Sequence, residues 1–162
     1  MRTTSWRMLL AILVPLSACR PSSSELSSAD IDAIKRTYTD WAAATASKDW
    51  EAAGNLGTAD VWLSDPHQAP IEGRGALVTW LETNWPANMS QTWVVQEVAG
   101  YRDLAYARAT ATEVYTRPDG TQYTEHSLCL NTFRREPDGA WRFSRNSCHL
   151  VDPLPAPPAG TP

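Results

Sequence analysis

The second half of the chain constrains the fold most. Four segments follow one another there: "QTWVVQEVAG", "LAYARATATEVYTR", "TQYTEHSLCLNTFRR" and "AWRFSRNSCHLV". All are rich in Val, Thr, Tyr and Trp, residues that suit a pleated, half-buried surface. Only "YRD", "PDGT" and "EPDGA" separate them, and these are short turn signals. The last three segments are therefore predicted to form successive hairpins. In the second segment Ala105, Ala107, Ala109 and Ala111 alternate, which puts small side chains on one face of a strand. Such a stripe either lets a helix approach closely or leaves a hollow.

The first half is helical. Ile31, Ile34, Tyr38, Trp41 and Ala42 recur at helical spacing, and the apolar stripe fades at the polar Thr45. Ser27 or Ser28 can cap this helix, with Asp30 and Asp32 near its positive end. "SKDWEAAGNLG" reads as a break and a short second helix closed by Gly54 and Gly57. "VWLS" is a short strand, and "GALVTWLETNW" a third helix with Leu77, Trp80 and Leu81 on one face, ended by Pro86. Helix, helix, strand, helix and then an antiparallel meander make an α+β fold with the helices on one face.

The termini carry a different message. "MRTTSWRMLLAILVPLSAC" has Arg2 and Arg7, an apolar run from Met8 to Leu16, then small residues, the layout of an export signal. The run is shorter than the roughly 20 apolar residues that span a bilayer. Its end, "LSAC", resembles the lipobox of bacterial lipoproteins. That resemblance implies cleavage before Cys19 and acylation of the cysteine. With Arg20 rather than an aspartate next, it also implies the outer membrane, facing the periplasm. The alternative is an ordinary cleaved signal with a chance cysteine. "RPSSSELSS" has too little apolar surface to fold and would act as a leash, and "VDPLPAPPAGTP" is Pro-rich and extended.

Without residues 1–19, twelve basic residues face eighteen acidic ones, a net charge of −6. An acidic domain argues against nucleic acid as a partner and against electrostatic docking on anionic lipid. The membrane contact is thus expected through the lipid on Cys19.

Cys129 and Cys148 remain, in a compartment that permits disulfides. Their pairing depends on the turn in "EPDGAW". A two- or four-residue loop sets Cys129 opposite Cys148; a three-residue loop sets it opposite Ser147. Two buried free thiols are the alternative to a bond.

The first helix running into "SKDWEAA", then "LSDP", "IEGRGAL", "DLAYARATATEV", "PDG" and a final "FRREPDGAWRF" before "CHLVDP" occur in a distinctive order. Together they resemble the NTF2-like superfamily, in particular its SnoaL-like and ketosteroid-isomerase-like domains of the DUF4440 type. The resemblance implies a curved sheet wrapped around about three helices into a cone with an apolar cavity at its open end. It divides the chain into a lipoprotein signal peptide (1–18), a flexible tether with lipidated Cys19 (19–27), an NTF2-like domain (28–153) and a disordered tail (154–162). It also implies a homodimer through the sheet as one arrangement.

Ketosteroid isomerase keeps a general base in a strand-end Asp-Pro motif, and Asp65 matches that position. Its second acid, on a late strand, falls at Asn131, which can still donate a hydrogen bond; its oxyanion tyrosine falls at Trp41, with Tyr38 one turn away. A carboxylate at the mouth of an apolar pocket has a raised pKa and can move a proton. An aspartate before proline is equally a turn starter that bonds local amides. Further candidates for the cavity are Trp41, Trp62, His67, Trp80, His126, Phe143 and Arg145. The histidines show no tight metal-ligand spacing, so no metal is expected. No Gly-rich phosphate loop or nucleophile elbow occurs, and no cofactor is expected. Three functions follow: an envelope lipoprotein whose cavity binds a small apolar or amphipathic molecule or that supports a partner, an isomerase or lyase using Asp65 with Asn131, or a dimeric interaction module.

Overall fold

A computed structural model describes residues 25–66 and 68–151; the signal segment, Cys19 and the Pro-rich tail lie outside the described residues. Helix α1 (Ser28–Ser47) starts with a capping box: Asp30 N donates to Ser27 Oγ at 3.2 Å, and Ser27 N donates to Asp30 Oδ2 at 3.1 Å. Hydrogen bonds from Ser27 and Trp141 hold the Asp30 carboxyl at about 2, below its usual range. The apolar stripe does not fade at Thr45. That residue is buried, its hydroxyl donating to Trp41 O at 2.9 Å, so the helix backbone itself satisfies the polar group. Helix α2 (Trp50–Asn55) follows at once, capped by Asp49.

Strand β1 (Gly57–Ser64) is twice as long as the predicted "VWLS". A two-residue strand, β2 (Ile71–Glu72), was not legible because no periodicity can show in two residues. Helix α3 (Arg74–Asn84) ends at Trp85, ahead of Pro86, as predicted. It lies so close to α2 that a Cβ on Gly54 would collide with Val78 Cγ2.

The meander is β3 (Met89–Tyr101), β4 (Leu104–Thr116), β5 (Gln122–Arg135) and β6 (Trp141–Leu150). The six-stranded sheet runs β2-β1-β6-β5-β4-β3. All neighbours are antiparallel except β1 and β6, which pair in parallel. Its register shifts at three places, one of them between Gly57 and Trp62 where β1 meets β6; the other two lie in the meander. Of these two, one lies between Val95 and Glu97 in β3, the other beside Ser144 in β6.

The shift beside Ser144 decides the disulfide. The β5–β6 loop has three residues, Pro137–Gly139, closed by Glu136 N donating to Ala140 O at 2.9 Å, with Gly139 at φ 82°. That loop alone would put Cys129 opposite Ser147. The extra residue in β6 moves the register from Phe133↔Phe143 to Thr132↔Arg145, and Cys129 then faces Cys148. The bond forms with Cα atoms 4.2 Å apart.

Helix α1 packs across the sheet on β3 and β6. Tyr38 centres the core, its ring 5.2 Å from Trp93, 5.7 Å from Phe133 and 5.2 Å from Phe143. Burying an aromatic side chain of this kind contributes about 1.5–3 kcal/mol. The alanine stripe serves both purposes its sequence allowed. Ala105, Ala107 and Ala109 join the packed core, whereas Ala111 lines a hollow. Among the described residues no helix is long and apolar enough to cross a membrane.

Candidate functional site

Beyond Ala111 the side chains no longer fill the cone, and a cavity of about 570 Å³ remains. Its walls include Trp41 from α1, Trp80 and Trp85 at the end of α3, Trp93 from β3 and Phe143 from β6. These rings brace one another: Trp85 meets Trp41 at 6.2 Å and Trp80 at 6.3 Å, both edge to face.

A polar chain crosses this apolar wall. The indole nitrogens of Trp41 and Trp93 both donate to Gln91 Oε1 at 3.0 Å. Gln91 Nε2 donates to Glu113 Oε1 at 2.6 Å, and the Tyr115 hydroxyl donates to Glu113 Oε2 at 2.9 Å. Burial first, then the charge of Glu113, pushes the Tyr115 hydroxyl pKa up. Tyr115 stacks on its cross-strand partner Tyr123 with ring centres 4.8 Å apart.

Asp65 enters the cavity from the loop after β1, together with Pro66 and Gln68. Burial, reinforced by the charge of Glu113, raises its pKa to about 7. No described residue donates a hydrogen bond to its carboxylate. The Gln68 side chain is similar: its Nε2 and Oε1 are both buried and have no hydrogen-bond partner among the described residues.

The structure separates the remaining candidates. Trp41, Trp80 and Phe143 line the cavity. Trp62 does not, because Val61 and Leu63 on either side of it point inward. His126 lies on the outer face, its Nδ1 3.2 Å from Thr112 Oγ1, since Glu125 and Ser127 take the inward positions of β5. Arg145 also points away, donating to the carbonyl oxygen of Asp60 at 3.0 Å. Counting alternate residues from Phe143 puts it inside, but the extra residue in β6 reverses the alternation, and Asn146 lines the cavity instead. Asn131 is fully buried below the cavity floor, where its Nδ2 donates to the Tyr38 hydroxyl at 2.7 Å. His67 lies outside the described residues.

Gln68, Gln91, Glu113, Tyr115 and Glu125 were missed from sequence. Glu113 and Tyr115 continue the alternation of Ala105 to Ala111, which is the signal that could have found them.

A mostly antiparallel curved sheet, wrapped around helices and hollow at its wide end, defines an NTF2-like α+β domain. Residues 27–146 match the family model of the SnoaL-like domain, and the chain belongs to that family. Solved structures agree on the fold. An NTF2-like protein with a cystatin-like fold from Novosphingobium aromaticivorans is 23% identical, with TM-score 0.69, covering 77% of this chain and 84% of its own. A ketosteroid isomerase-like protein from Erwinia carotovora atroseptica is 18% identical, with TM-score 0.67, covering 78% and 100%. A protein from Catenulispora acidiphila, solved in complex with S-DNPA, is 17% identical, with TM-score 0.63, covering 76% and 95%. No curated protein matches the chain.

Proposed function

We propose that this protein is an exported, lipid-anchored SnoaL-like domain that binds a small amphipathic molecule in its cone. The observation that carries this reading is the hollow itself, about 570 Å³ with aromatic walls, with Asp65 at its edge and the buried Gln68 amide there without a hydrogen-bond partner among the described residues. Small-molecule pockets have volumes of about 300–1,000 Å³ and few polar groups. A buried polar group without a partner costs about 1–3 kcal/mol, which a ligand would offset. The Catenulispora acidiphila protein of this fold, solved in complex with S-DNPA, is consistent with this reading.

A thermal-shift screen of small amphipathic molecules tests this, with Ala111→Phe as the filled-cavity control. Compounds that stabilise the wild type and not the variant are expected. Equal stabilisation of both, or none of either, would sink the reading. The anchor is tested separately: Cys19→Ala moves the protein from the membrane to the soluble fraction, and retention on the membrane refutes it.

A second reading is a proton-transfer enzyme of the isomerase or lyase type, favoured by Asp65 at about 7. A general base works best with its pKa near the operating pH. From its buried place Asn131 cannot touch a substrate, so Gln68 is the donor this reading requires. A third reading, a dimer through the sheet, draws on Val94, Leu104, Tyr106 and Leu130, exposed on the outer face.

A further inference from the structure

The charge of the described cavity lining is one-sided. Asp65, Glu113 and Glu125 line it, and its described lining residues include no lysine, arginine or histidine. Glu113 and Glu125 are direct cross-strand partners, and like charges in that relation are unfavourable in a sheet. Both donors bonded to Glu113, Gln91 and Tyr115, are neutral, so they orient its carboxylate without cancelling its charge. Asp65 completes the acidic side without a hydrogen bond from any described residue.

The opposite requirement, an apolar surface that tolerates positive charge, is met by the walls. Trp41, Trp80, Trp85 and Trp93 present π-systems to the same space. A cation over such a ring is attracted to its negative face, most strongly when it is desolvated. The Tyr115–Tyr123 stack already takes one cation at its rim, where the Arg117 guanidinium lies 4.6 Å over the Tyr123 ring. A metal ion is the poorer fit to these acids. Among the described residues no three carboxylate, imidazole or thiolate groups converge closely enough to hold one.

We infer that the cavity selects an organic cation: an ammonium or quaternary ammonium head on an apolar body about the size of one or two fused rings. The head lies among Asp65, Glu113 and Glu125, the body lies against the tryptophans, and Gln68 supplies a neutral donor and acceptor. This names the ligand class of the binding site proposed above and rests on that proposal. Burial, and after it the charge of Glu113, raises the Asp65 pKa, and a cation bound beside both carboxylates opposes that shift.

Isothermal titration of the full domain at pH 8 with three probes of one shape tests the inference: naphthylmethylammonium, naphthylmethanol and naphthoate. The ammonium is expected to bind at least about tenfold tighter than the alcohol, with the carboxylate weakest, as one well-placed charge pair allows. Glu113→Gln should weaken the ammonium about tenfold more than it weakens the alcohol. Equal affinity for alcohol and ammonium overturns the charge assignment while leaving the pocket intact. Binding of none of the three overturns the binding function and this inference together. The three-probe comparison uses the unaltered protein, so poor folding of Glu113→Gln does not decide the result.

Discussion

Asn131 Nδ2 donates to the Tyr38 hydroxyl at 2.7 Å, joining two fully buried residues 93 positions apart. The bond ties the middle of α1 to the sheet beneath the cavity, where burial pushes the Tyr38 hydroxyl pKa up. Removing one partner leaves the other buried and unsatisfied. Asn131→Ala should therefore lower stability by about 2–3 kcal/mol in urea unfolding, and Tyr38→Phe by about 1–2. Tyr38→Phe combined with Asn131→Ala should cost less than the sum of the two separate changes, because the two sites share one bond. Strict additivity would show that the pair is not coupled.

Asp65 makes stability fall as pH rises. Its folded pKa, about 7, lies above the ordinary carboxyl value of 3.8. Between these values the folded state holds a proton that the unfolded state has lost. The stability from this group is fully present below pH 4 and is lost as pH rises toward 7. Asp65→Asn removes that loss, so its melting temperature should exceed wild type by more at pH 8 than at pH 5. After allowance for solvent in the open cavity, the gain is on the order of 2 kcal/mol. A gain independent of pH would show that Asp65 titrates normally.

The Cys129–Cys148 bond closes a segment with a sequence separation of 19 between adjacent strands. Replacing both cysteines by alanine should lower stability by about 2–4 kcal/mol. Guanidinium unfolding of wild type with and without reductant should show the same loss. No change on reduction would mean that strand pairing alone fixes this register.

Outward and inward residues should separate cleanly in binding. His126→Ala and Arg145→Ala touch the outer face and should leave affinity for any cavity ligand within about twofold. Trp93→Ala removes both a cavity wall and a donor to Gln91, and should weaken binding at least about tenfold. Reversed effects in fluorescence titration would place the site on the other face of the sheet.

The helices, the meander and the α+β class were legible because each rests on a local pattern: the 3.6-residue spacing of Ile31, Ile34, Tyr38 and Trp41, and the two uses of "PDG". Asp65 and three of the aromatic walls were legible through Asp-Pro and through apolar bulk. What failed was parity. A single extra residue beside Ser144 exchanges the inward and outward sides of β6, and nothing in "RFSRNSC" marks it. The same residue restores the disulfide register that the three-residue turn would have broken. The Gln91–Glu113–Tyr115 chain was missed for another reason. A carboxylate on an inward strand position looks like an error in a core pattern and makes sense only once the cone is known to be hollow.

The central claim, that this hollow holds a small molecule, is tested most directly by native mass spectrometry of the protein purified from the cells that make it. A 1:1 adduct of low molecular mass is expected on the wild type and should be absent from Ala111→Phe, whose added ring occupies the cavity beside Trp93. A wild-type protein without any adduct, or an adduct that Ala111→Phe retains, would contradict the account.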